Sequence, residues 1–294
     1  MNLLVTGAGG NVGARLAPRL RGKFPSAQLR FVIHHSAPSA LSFPDEIVVT
    51  DLTHRDDFDR ATQGRWDGVI HLASLTDVDA CERDPQTARA VNAEVTRRLC
   101  ERFRDKRIVF VSTDYVFDGT HGSYAPSDVT HPQSVYGSTK RAAEEMVLSV
   151  SRGLVIRTAG IYDWALGKTF LSFVERCARA GQSVRAATDI HYSPTWADDL
   201  ARALIGLVDS SACGILHFAG SEAMTRYQFA RVVVSELDAD EKLIMPATQD
   251  SLGLVARRPA DSTLNSESGY ALSGVCPTPL AEVLRLPRGE SRTL

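Results

Sequence analysis

Val5-Thr6-Gly7-Ala8-Gly9-Gly10-Asn11-Val12-Gly13 joins a short apolar run to the first amphipathic stretch of the chain. Residues 3–6 read as a strand and residues 12–21 as a helix, so the glycines fall in the turn between them. Gly7, Gly10 and Gly13 suit that place. Small residues permit a tight turn and let the backbone approach a pyrophosphate, and the last one lets the helix pack near the strand. The helix start, Asn11-Val12-Gly13, offers unpaired N–H groups to an anion. The turn is therefore read as a nucleotide-phosphate cradle.

Outward from it, residues 29–33, 47–50, 68–72, 107–112 and 154–157 read as further strands. They are continuously apolar, as strands are when helices cover both faces of a parallel sheet. Residues 84–104 and 134–151 read as helices, and the first carries Ala88, Val91, Val95 and Leu99 as a buried stripe. This alternation predicts an α/β fold with a Rossmann-type, doubly wound parallel sheet. The glycine spacing is one residue wider at its first step than the common Rossmann fingerprint. Past Arg157 the pattern loosens, with helices at 170–180, 197–208 and 227–236 and a strand at 214–218. The expected organisation is a nucleotide domain over residues 1–166, with return segments around 195–220. A smaller C-terminal lobe, mainly residues 167–294, is interwoven with it and covers the substrate.

An NAD-selective site places a carboxylate about 20 residues beyond the turn, on the ribose 2′-hydroxyl. Here the second strand ends in His34-His35, and the nearest cations are Arg15 and Arg30. A missing acid removes a repulsion against a 2′-phosphate, which a guanidinium binds bidentately. NADP(H) is thus favoured over NAD(H). Asp51-Leu52 closes the third strand, near the adenine, and Ala73-Ser74 follows the fourth, against the middle of the cofactor.

Tyr136-Gly-Ser-Thr-Lys140 opens a helix, and residues four apart share one helical face. A free phenol has a pKa near ~10, and a neighbouring ammonium is expected to draw it toward neutrality, where acid–base work is efficient. Thr113 stands at the tip of the fifth strand, at the carboxyl edge where open α/β sheets bind ligands. Thr113, Tyr136 and Lys140 are the expected catalytic set.

The whole chain sets outer limits. Its 294 residues are 44% hydrophobic and 23% charged, with a formal net charge of −2. No basic field recruits nucleic acid or an anionic membrane. Five dispersed cysteines, without a Cys-x-x-Cys pair or a histidine cluster, fit reduced thiols and no metal site. With no signal segment and no apolar stretch near ~20 residues, a soluble, cytoplasmic protein is expected.

These residues resemble the extended short-chain dehydrogenase/reductase superfamily and, within it, the dTDP-4-dehydrorhamnose reductase family. The matching stretches are residues 5–13, 75–92, 111–119 (VSTDYVFDG), 135–145 (VYGSTKRAAEE), 156–162, 193–201 and 258–265 (RPADSTLN). The resemblance implies an oxidoreductase that delivers hydride from NAD(P)H to the 4-keto carbon of a nucleotide-linked 6-deoxysugar. Thr113 would polarise the carbonyl, Tyr136 protonate its oxygen, and Lys140 tune Tyr136 and hold the nicotinamide ribose. Asp114, Tyr115, Trp164, Arg258 and Ser262 would frame the substrate, with Arg258 suited to its pyrophosphate. Dimers are common in the superfamily, so a homodimer is the assembly implied. Three positions depart from the family: Gly160 replaces a tryptophan that stacks on the sugar, Ile190 a glutamine, and Pro126 an acid. Two alternatives share the framework: an epimerase or dehydratase without net redox, and a non-catalytic NADP-binding regulatory subunit like that of methionine adenosyltransferase.

Overall fold

The computed structural model describes residues 1–34, 45–164, 166–167 and 169–287. His35, named above beside His34, lies outside the described residues. Seven parallel strands form the main sheet: β1 (Leu3–Thr6), β2 (Leu29–Ile33), β3 (Glu46–Val49), β4 (Gly68–His71), β5 (Arg107–Thr113), β6 (Arg152–Thr158) and β9 (Gly214–His217). Their order is β3-β2-β1-β4-β5-β6-β9. Strand order reverses between β1 and β4, and an open α/β sheet holds its ligand in the crevice at that point.

Alternate residues of β1 feed two cores, because side chains alternate across a strand. Leu3 and Val5 pack with Leu16 and Leu20 of α1 (Asn11–Lys23) and Leu200 and Leu204 of α8 (Ala197–Leu207). Leu4 faces the other side, with Phe58 of α2 (Arg55–Thr62), Leu99 of α5 (Val95–Arg102) and Val147 of α6 (Val135–Leu148). Helix α8 and strand β9 thus return from the C-terminal half to complete this layer.

The rest of that half has its own core. Leu171 and Val174 of α7 (Phe170–Arg179) pack there with Phe229 and Val233 of α9 (Arg226–Glu236). Val184 of β7 (Val184–Ala187) and Ile244 of β11 (Ile244–Ala247) join them, the two strands pairing in parallel. A second small ladder pairs β8 (His191–Tyr192) with β10 (Met224–Thr225).

Several elements differ from the sequence reading. The expected helix at 84–104 is three pieces: α4 (Pro85–Arg89), a π-turn at Ala90–Glu94, and α5. Helices α2 and α3 (Val78–Arg83) and strands β7 and β11 are additional. Each is short, with too few buried positions to set a period. Among the described residues, no helix is long and apolar enough to cross a membrane.

Candidate active site

The glycine turn has the shape its composition implied. Gly7 sits at φ +71°, and a β-carbon there would lie 2.4 Å from the Ala73 backbone nitrogen. A side chain at Gly13 would lie 2.3 Å from the Ala8 carbonyl oxygen. The turn is therefore pressed between the exit of β4 and its own helix, at two places that only glycine fits. Gly10 is the N-cap of α1 and supplies no side-chain hydrogen bond, and no acid occupies the first turn. Asn11 Oδ1 is buried beside it without a hydrogen-bond partner. Val12 is buried in the core. Uncapped N–H groups at a helix start fit a pyrophosphate.

At the tips of β2 and β3, His34 Nε2 lies 3.6 Å and His54 Nε2 3.7 Å from Asp51 Oδ2. Partial burial opposes ionisation of Asp51, but hydrogen bonds from the Thr53 amide and hydroxyl hold its carboxyl below the ordinary range. Leu52 is buried behind it.

Two cations take other positions. Arg15 is engaged within the protein: its Nε and Nη2 donate to Asp163 at 2.9 and 2.8 Å, both side chains being buried. The carboxylate 148 residues away in sequence claims the fork that the sequence reading reserved for the cofactor. Arg30 is likewise engaged by Glu46, by the Ala61 and Gln63 carbonyls and by the face of Trp66.

The three catalytic candidates converge. Thr113 ends β5, and its Oγ1 donates to Asp114 Oδ1 at 3.0 Å while accepting from the Tyr115 amide at 3.2 Å. Ser134 caps α6 by accepting from the Gly137 amide. A side chain at Gly137 would lie 2.1 Å from the Tyr115 carbonyl, so α6 begins flush against the turn after β5. That contact brings the Tyr136 hydroxyl close to that of Thr113 and sets its ring edge-on to Tyr115, centroids 5.8 Å apart. One turn on, Lys140 Nζ donates to the Val111 carbonyl at 2.7 Å and lies 4.0 Å from the centroid of Phe110.

The electrostatics depart from expectation at Tyr136. Burial raises the phenol well above its ordinary range, and its neighbour Asp114 adds to the rise; the Thr113 hydroxyl only restrains it. The expected depression by Lys140 is absent, because burial dominates and the lysine is itself desolvated. Burial draws the Lys140 ammonium down to about 7, with Glu144 opposing the fall. His71, buried and close to Lys140, is pushed down to about 3 and is neutral. Its Nδ1 pairs with Thr6 Oγ1 at 2.6 Å and its Nε2 with Thr96 Oγ1 at 2.9 Å.

Of the substrate candidates, Asp114 and Ser262 meet. The Ser262 hydroxyl donates to Asp114 Oδ2, and burial lifts the Asp114 carboxyl to about 6 against that bond and the one from Thr113. Tyr115 lies beside them. Arg258 is drawn aside by Asp79 on α3, which also accepts from the Val255 and Ala256 amides at 3.1 and 2.9 Å. Trp164 packs against the core of the second lobe. Gly160 adopts φ +48°, with the Tyr192 ring where a side chain would begin.

Asn92 was missed by sequence reasoning. Within the π-turn its Oδ1 accepts from the Ser74 hydroxyl at 2.9 Å and the Leu75 amide at 2.8 Å. Its Nδ2 donates to the Leu75 carbonyl at 3.2 Å and to Thr139 Oγ1 at 3.1 Å. It thereby ties the Ala73-Ser74 segment to α6 between Tyr136 and Lys140. The available signal was a polar residue inside an apolar helical stripe. Arg226, considered below, was also missed.

Residues 1–285 match the family model described as the RmlD substrate binding domain. A dTDP-4-dehydrorhamnose reductase of Mycobacterium tuberculosis (strain CDC 1551 / Oshkosh) is 34% identical over 289 residues, spanning 94% of this chain and 88% of the relative. A dTDP-4-keto-6-deoxy-D-glucose reductase of Streptomyces niveus is 32% identical over 273 residues, with 90% and 88% covered. Among solved structures, a hypothetical dTDP-4-dehydrorhamnose reductase from Sulfolobus tokodaii aligns with a TM-score of 0.82 at 32% identity, covering 92% of this chain and 94% of that one. With its glycine cradle and its Thr113, Tyr136 and Lys140 grouped at the carboxyl edge of the sheet, the chain belongs to the RmlD substrate binding domain family.

Proposed function

We propose that this protein reduces a nucleotide-linked 4-keto-6-deoxysugar with a nicotinamide dinucleotide, NADPH favoured, and that Tyr136 donates the proton. The observation that carries the reading is the Tyr136 hydroxyl beside Thr113 at the ligand edge of the sheet, with Lys140 one turn behind. The named activities of relatives at 34% and 32% identity support the substrate class.

When bound, the cofactor supplies the hydride that reaches the sugar's C4. The glycine turn and the start of α1 hold the pyrophosphate, and Asp51, Leu52, Ala73 and Ser74 line its path from adenine to nicotinamide. With Arg15 and Arg30 engaged, the missing acid at the tip of β2 and the imidazole of His34 support the NADPH preference. Residues 1–166 form this half of the site, and residues 167–294 mainly cover the sugar.

Tyr136 transfers its phenolic proton to O4 as that oxygen gains charge. Burial suits this direction, because a phenol held above its ordinary pKa reaches neutral pH with its proton in place. Thr113 turns its O–H from Asp114 to the carbonyl oxygen and so stabilises the same developing charge. Lys140 places a titratable cation behind the phenol as it loses its proton. The placement of all three residues at the carboxyl edge of the sheet favours catalysis over a purely regulatory role.

The test is NADPH oxidation with dTDP-4-dehydro-6-deoxy-L-mannose by the wild type and Tyr136→Phe. Loss of a positioned general acid should lower kcat roughly 10²- to 10⁴-fold with NADPH binding retained. Turnover unaffected by removal of the phenol would exclude the mechanism. Turnover of a different keto-sugar nucleotide alone would overturn only the sugar.

A further inference from the structure

Arg226 is the first residue of α9, behind a capping box in which Thr225 and Gln228 exchange side-chain and backbone bonds. A cation at a helix N-terminus opposes the helix dipole, and folding alone favours an acid there. The position is explained by what surrounds it. The Arg226 guanidinium lies 3.9 Å from the centroid of the Tyr192 ring and 5.3 Å from that of Phe170. Tyr192 is 2% exposed, and its ring occupies the space that the bare Gly160 leaves. Arg226 as a residue is half-buried, whereas Tyr192 is fully buried, so a ligand would meet the arginine before the phenol beneath. On its other side Arg226 lies close enough to Tyr115 and to Asp114 for it to favour the charged form of each. Asp114 bonds Thr113, and Tyr115 sits edge-on to Tyr136.

We propose that Arg226 is the specificity-determining residue of the sugar pocket, reading the hydroxyl on the ring carbon next to the carbonyl that is reduced. The inference rests on the 4-ketosugar reading above. In a 4-keto-6-deoxysugar the carbonyl is flanked by C3, which bears a hydroxyl, and by C5, which bears a methyl. A planar cation with five N–H donors beside the carbonyl site pairs with the hydroxyl. The nearby Asp114 carboxylate offsets part of its charge, so the site favours a neutral polar group over a carboxylate.

The experiment compares wild type, Arg226→Met and Arg226→Lys on dTDP-4-dehydro-6-deoxy-L-mannose and on its 3-deoxy counterpart, with NADPH affinity measured by fluorescence titration. One charge-assisted hydrogen bond predicts that the wild type prefers the hydroxylated sugar by roughly 10- to 100-fold in kcat/KM. Arg226→Met should lower that value by a similar factor through KM, and change the 3-deoxy value by less than about threefold. NADPH affinity should hold. Arg226→Lys, which keeps the charge without the fork, should give intermediate selectivity and carries the test if the methionine variant does not fold. Equal losses on both sugars, or a lysine variant with the full wild-type ratio, would overturn the role. A wild type that binds NADPH but reduces neither sugar would overturn the underlying function and the inference with it.

Discussion

Arg15 separates two accounts of the cofactor site. If it bound a 2′-phosphate, Arg15→Met would weaken NADPH and leave NADH and stability almost untouched. Its geometry argues otherwise. Two bonds of 2.9 and 2.8 Å join it to Asp163, whose side chain is fully buried while that of Arg15 is 9% exposed. The substitution removes the guanidinium that this buried carboxylate faces, and breaking such a pair from one side costs about 3–5 kcal/mol. At about 2 °C per kcal/mol for a chain of this size, Tm should fall by roughly 6–10 °C. Replacing both partners, Arg15→Met with Asp163→Leu, should recover most of that loss, because the two members of the pair are then removed together. The assays are thermal melting followed by circular dichroism and fluorescence titration with both cofactors. The ratio of NADPH to NADH dissociation constants should stay within about twofold of wild type, since well under 1 kcal/mol is at stake. A tenfold selective loss of NADPH affinity with an unchanged Tm would refute the ion-pair account and restore Arg15 to the cofactor.

Gly7→Ala should weaken NADPH at least about tenfold by fluorescence titration, because the left-handed backbone alone costs an alanine about 1–2 kcal/mol. The added methyl would also lie 2.4 Å from the Ala73 nitrogen, and unchanged affinity would show that the turn does not carry the phosphate. Lys140→Met should abolish reduction yet raise Tm near pH 6. Burial holds Lys140 near 7 against an ordinary 10.5, so between those values the unfolded chain binds a proton that the folded chain does not. Wild-type stability therefore rises with pH across that window, and the advantage of the methionine variant should shrink toward pH 10. A variant less stable than wild type at pH 6 would contradict this.

Burial sets the direction in which the site is poised. An oxidative enzyme needs a phenolate to take a proton, and a low phenol pKa serves it. Here Tyr136 is buried and its pKa raised, with Asp114 as a negative neighbour, so the resting group is a donor. Behind it, a second buried pair fixes the helix that carries it. Glu144 on α6 accepts two bonds of 2.9 Å from Arg157 on β6 and one of 2.6 Å from Ser112, next to Thr113. That network locks α6 to the ends of β5 and β6, so Tyr136, Lys140 and Thr113 are held by interior charge rather than by loops.

What was legible in the chain was local. The strand–glycine–helix junction, the continuously apolar strands and the Tyr136–Lys140 spacing each lie within a few residues, where backbone geometry ties sequence to position. Partnerships across the fold were not legible. Arg15 read as a phosphate ligand because its chemistry suits one, and nothing nearby announced that Asp163 would claim it. Arg258 read as a pyrophosphate ligand on the same ground, and Asp79, 179 residues distant, pairs with it. Both pairings run the same way. A guanidinium binds any well-placed oxyanion, and only the folded chain decides which one reaches it first. The converse also held: Arg226 follows an ordinary helix cap and drew no notice, although the fold sets it against Tyr115 and Asp114. In this protein a charge near a motif is thus weaker evidence than a charge whose place its own helix does not favour, and Arg226 is the residue that meets the second test.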